Sequence, residues 1–146
     1  MKILSKLRRD QAKIHSLSWP KRILLMKVLA VLVFFKLLLI LFPLKWFIKP
    51  VPVSYNSKKT LSRSFIDKQI WAIKIVSARV PMGLTCLVQA LAGKWLLKNH
   101  PDVRVHIGVR NNSLDGFSAH AWVTYQHNTI LGEQPNLVFE PILAWN

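Results

Sequence analysis

Acidic side chains are scarce in this sequence: six Asp and Glu stand against 21 Lys and Arg, leaving a net charge of +15. That balance favours anionic partners such as nucleic acid, anionic lipid or an acidic peptide. Cysteine occurs once, which excludes an intrachain disulfide framework and a zinc site built on several cysteines. Metal-ligand Cys/His spacing, aromatic-basic sheet patterns and nucleic-acid reader motifs are all missing, so the high charge finds no support as a nucleic-acid signal. No phosphate-binding glycine loop occurs, and no nucleotide or other cofactor is expected on this chain. The final stretch, residues 111–146, has no Lys or Arg and holds Asp115, Glu133 and Glu140. The positive field therefore belongs to the N-terminal half and the middle.

What is there begins with a basic, apolar N-terminal segment, residues 1–49, with eleven Lys/Arg and the single acid Asp10. Ser18-Trp19-Pro20 has the form of a helix start, Ser18 as N-cap and Pro20 in the first turn. An apolar run of 17 residues, Val28 to Leu44, follows, divided by Lys36 and carrying Pro43 near its end. A bilayer span wants about 20 apolar residues, and a lysine near its centre costs roughly 2.5–3.5 kcal/mol on insertion scales. No small-residue cleavage site follows, which argues against a signal peptide. Three readings stay open: a marginal span, an interfacial helix, or a helix packed on the rest of the chain or on a partner. Run length and charge favour the last two, with residues 21–49 as the candidate membrane contact and the cytoplasm, at the inner face of the membrane, as the expected place; a span would leave the basic N-terminus cytoplasmic.

Residues 50–62, with two prolines and small polar residues, read as a linker, and residues 63–146 as the main folded domain. From Ser64 a helical period places Phe65, Ile66, Ile70, Ile73 and Val76 or Ser77 near one face, ending at Val80–Gly83. A second helix runs from Cys86 to Lys98, with Thr85 as N-cap and Leu87, Ala90, Leu91 and Trp95 on its expected buried face. The period then switches to two. Val103, Val105, Ile107 and Val109 alternate with polar residues in a first strand, Ala119 to Tyr125 forms a second, and Thr129 to Leu131 a third beyond a turn at His127-Asn128. This order predicts an α+β fold in which an antiparallel sheet packs on the Cys86 helix.

A lone cysteine is more often a small buried hydrophobe than a nucleophile. The first turn of a helix, however, favours an anion, and the thiolate is the nucleophilic form of cysteine. His120 opens the strand HAWVTY and supplies a base from a different element, as Cys–His chemistry requires. Glu133 lies beyond the hairpin, roughly opposite residue 120, and can orient the ring; Gln134 and Asn136 are further candidates for that role. Asp115 reads as an Asx-turn, His106 as solvent-facing, and His100 and His127 as ordinary turn residues.

The ordered motifs ARVPMGLTCLVQALAGKWLL, VRVHIGVR, FSAHAWVTY and ILGEQPNL resemble the lasso-peptide biosynthesis B proteins, the leader peptidases. The resemblance covers roughly the last 90 residues. It implies a transglutaminase-like, papain-like cysteine peptidase core and a Cys-His-Asp site, with Cys86 at the nucleophile and His120 at the base. The family's Asp falls near Glu133, a residue one methylene longer. The resemblance also implies removal of a leader from a ribosomally made precursor peptide, a separate leader-recognition protein, a lasso cyclase, and any ATP dependence through those partners. The same residues also fit another transglutaminase-like amidase or acyl transferase, a non-catalytic membrane-associated peptide-binding adaptor, and a basic protein binding membrane or nucleic acid.

Overall fold

The structure, a computed structural model, describes residues 18–46, 60–80, 82–98, 100–112, 116–134 and 138–145. The N-terminal tail to residue 17, most of the linker, Asp115 and Asn136 lie outside them. Among the described residues three helices precede a four-stranded sheet: α1 Trp19–Leu41, α2 Arg63–Arg79, α3 Cys86–Leu96, then β1 Val103–Asn112, β2 Gly116–Tyr125, β3 Asn128–Leu131 and β4 Glu140–Trp145. A 3₁₀ turn, Leu44–Trp46, follows α1.

α1 starts after Ser18 with Pro20 in its first turn, and it stops at Leu41, before Pro43. Its inner face, Val28, Val31, Leu32 and Phe35, is buried against α2 and α3. α2 buries Ile66, Ile70, Ala72, Ile73 and Val76, close to the face its period predicts, and ends at Arg79. α3 is the central element, touching α1 and α2 on one side and β1 and β2 on the other. That position buries Val88, Ala90, Leu91, Ala92, Gly93 and Leu96 together, more of the helix surface than a single stripe. Trp95, expected inside, is instead 46% exposed. The contact sites are taken by small residues, and the large indole is left outside.

The sheet order is β3-β2-β1-β4, with every pairing antiparallel. β2 and β3 are joined through Gln126-His127, both at positive φ, the backbone a tight hairpin turn needs. β1 pairs with β2 along its whole length, Gly108 opposite His120. Val103, Val105, Ala121, Val123 and Tyr125 are buried; a Cβ on Gly93 of α3 would lie 3.9 Å from Val123, which fixes this as the face that meets the helix. β4 is an edge strand that the sequence pattern does not announce. It pairs with β1 through a bulge at Ile107/Gly108, tolerates Pro141 because it is an edge, and buries Trp145.

Candidate active site

Cys86 is the first residue of α3. Thr85 caps the helix, its Oγ1 accepting a long 3.5 Å bond from the Val88 N–H, while its carbonyl accepts from Gln89 N–H. Early N–H groups of a helix have no intrahelical acceptor, so the start of α3 offers donors and the positive end of its dipole to an anion. Gln89, one turn along, reaches back to donate from Nε2 to the Leu84 carbonyl at 2.9 Å, tying down the loop that leads into the cysteine.

His120 approaches from the sheet. Alternation along β2 turns Ala121 and Val123 towards α3, and His120 and Trp122 to the other face. There the rings form a series: His106 stacks on Trp122 at 5.4 Å, His120 lies 6.2 Å from Trp122, and Phe139 lies 5.1 Å from His120. Gly108 makes this arrangement possible, since a Cβ there would meet the Trp122 ring at 2.8 Å and the Phe139 Cβ at 2.9 Å. His106 is thus not a solvent-facing residue. Half-buried, it shares a 2.8 Å hydrogen bond with Thr124 Oγ1, and burial, with the Arg104 charge second, lowers its pKa below 6.5.

His120 is itself buried, and its Nε2 lies 2.6 Å from the Gly132 carbonyl oxygen. A carbonyl can only accept, so Nε2 carries a proton, and in the neutral ring Nδ1 is the nitrogen with the lone pair. Gly132 has φ +82°, and a Cβ there would meet the Ala121 carbonyl at 2.8 Å. The bend after β3 therefore requires glycine, and that bend aims the carbonyl at the imidazole.

Cys86, Gln89, His120, Ala121, Gly132 and Glu133 line one cavity of about 370 Å³. A second, of about 310 Å³, adjoins it across His120 and is walled by Trp122, Val138 and Phe139. The fold thus brings Cys86, His120 and Glu133 to a common cavity. Cys86 and His120 share its walls without a hydrogen bond between them. Glu133 is exposed, and among the described residues its carboxylate makes no hydrogen bond to His120. Gln134 lies on the same cavity. No group of three or more potential metal ligands occurs among the described residues.

A family model described as the transglutaminase-like superfamily matches residues 29–144 of the 146-residue chain. The chain belongs to the transglutaminase-like superfamily. Neither the curated proteins nor the solved structures yield a match. Transglutaminase-like membership agrees with the α+β fold and with chemistry of the cysteine peptidase or acyl transferase type. The superfamily match begins within α1, so the second half of that helix lies inside the matched region. The sequence points to Cys86, His120 and Glu133, which line this one cavity, but not to Gln89 and Gly132. Gln89 was accessible from its i+3 spacing to Cys86 on one helix face. The Gly132 carbonyl was not, since a backbone acceptor carries no residue signature.

Proposed function

We propose that this chain is a cysteine peptidase that removes the leader from a ribosomally made lasso-peptide precursor, with Cys86 as nucleophile and His120 as general base. The observation that carries the reading is the common cavity of Cys86 and a buried His120 whose Nε2–H is already committed to Gly132 O, in a transglutaminase-like chain. The lasso assignment rests on the motif resemblance around Cys86, His120 and Glu133.

Substrate binding draws Nδ1 within reach of the thiol, a tightening common to free enzymes. His120 Nδ1 takes the thiol proton, and the thiolate attacks the carbonyl at the leader–core junction. First-turn N–H groups of α3 are the candidate donors to the tetrahedral oxyanion. The C–N bond breaks, His120 returns its proton to the core amine, and a thioester remains on Cys86. Water, deprotonated by His120, then attacks the thioester, releasing the leader acid and the thiol. Gly132 O holds the working tautomer, and Glu133 at the cavity rim has the lesser part. The partners on this reading are the precursor peptide, a separate leader-recognition protein and the cyclase, and the place is the cytoplasm.

Incubation of the full chain with precursor and leader-recognition protein, followed by mass spectrometry, tests this. Cys86→Ala and His120→Ala are each expected to slow leader removal on the order of 10³-fold or more. Unchanged cleavage by Cys86→Ala would end the peptidase reading. Transfer of the leader acyl group to an added amine in preference to water would instead identify an acyl transferase using the same pair.

A further inference from the structure

α1 is apolar on both sides, and the fold uses only one. Opposite the buried face runs a second stripe, Trp19, Ile23, Met26, Phe34, Leu37 and Leu41, repeating every three or four residues apart from the gap that Ala30 fills. All six are exposed, Phe34 by 56% and Trp19 and Leu41 by 72% each. Only 22% of the helix's most apolar 18-residue window is buried, so it is not an ordinary core helix. At 1.5 Å per residue the 23-residue helix presents about 34 Å of apolar surface, and nothing among the described residues covers it. Soluble monomers seldom expose a patch of this size.

The charges around the stripe indicate its occupant. From Ser18 to Trp46 there is no acidic residue. Exposed Lys27 flanks the stripe and exposed Lys45 follows its C-terminal end, while Lys36 turns aside, its Nζ beside Gly83 in the loop before Cys86. Trp19 and Trp46 stand exposed at the two ends, positions where indoles suit a lipid headgroup layer. A second copy of the chain would bring one net +15 surface against another. Apolar surface rimmed by cations alone complements an anionic bilayer.

We infer that α1 docks this protein on an anionic membrane surface, lying in the plane of the interface with its outer stripe among the acyl chains. It does not cross the bilayer. Its inner face is fastened to α2 and α3, and a crossing would drag the exposed Arg63, Asp67, Lys68 and Lys74 of α2 into hydrocarbon. This inference rests on the surface of α1 and is independent of the peptidase reading.

The test uses the full chain and vesicles of phosphatidylcholine with or without phosphatidylglycerol. Sedimentation with the anionic vesicles is expected, weakening with salt. Phe34→Gln and Leu37→Gln should each lower partitioning by about tenfold or more, with far-UV circular dichroism unchanged. Nitroxides attached at Ile23→Cys, Ala30→Cys and Leu37→Cys in a Cys86→Ser background should all report the same shallow depth. No partitioning, or equal binding to uncharged vesicles, would overturn the inference. So would a depth profile peaking at Ala30, which marks a span, or a lipid-free dimer dissociated by Phe34→Gln, which marks a second copy as the occupant.

Discussion

At the scale of single residues, the group that orients His120 is a main-chain oxygen. A carboxylate would hold the same tautomer and also stabilise the imidazolium; a carbonyl supplies the first effect fully and the second weakly. The Gly132 carbonyl sits 2.6 Å from Nε2, whereas Glu133 is exposed. Gly132→Ala places a Cβ 2.8 Å from the Ala121 carbonyl at a φ of +82°, so the bend must shift and the bond to Nε2 with it. On the proposed peptidase reading, leader removal should fall by about 10²-fold, the scale of a misplaced catalytic group. Glu133→Gln should cost only about fivefold or less, as an exposed charge does. Nitrogen–proton correlation spectra of His120 separate an orienting role from a structural one. The Nε2-protonated tautomer should persist in Glu133→Gln and give way to a mixture in Gly132→Ala. If Glu133→Gln disturbs the tautomer as much as Gly132→Ala, the carboxylate is the orienting group after all.

Among the elements, legibility followed how locally each was determined. The start of α3 was readable from Thr85-Cys86, and β1 from strict alternation, because capping and period-two burial are local effects. β4 was not, since Pro141 and an irregular apolar pattern conceal an edge strand held by non-local pairing with β1. The far face of β1 also escaped local reading. His106 sits on the polar register, which suggests water, yet the Trp122 ring opposite covers it. That covering has a consequence for stability. Burial and Arg104 disfavour the protonated ring, so His106 binds its proton more weakly folded than unfolded. Between 6.5 and the lower folded value the unfolded chain takes up more protons, and stability falls as pH falls through that window. In His106→Gln the loss of denaturation midpoint from pH 7 to pH 5 should be smaller than in the wild type. Identical pH slopes for the two proteins would show that His106 titrates as if exposed.

For the whole molecule, the apolar N-terminal helix is a structural layer as well as a surface. Composition showed a basic, hydrophobic segment but could not say which of its faces met protein, because both faces are equally apolar and only the packing of α2 and α3 distinguishes them. Val28 and Leu32 are fully buried, and the superfamily match starts within the same helix. Two substitutions two residues apart should therefore behave oppositely. Leu32→Ala is expected to cost about 2–5 kcal/mol, as cavities in close-packed cores do. Phe34→Ala, on the outer stripe, should stay within about 0.5 kcal/mol in lipid-free solution. A fragment of residues 47–146, which removes the apolar segment, loses the layer that covers α2 and α3 and should show no cooperative thermal transition. If that fragment melts cooperatively and, on the peptidase reading, cleaves precursor at the full-length rate, α1 is an appendage of the transglutaminase-like fold and serves docking alone.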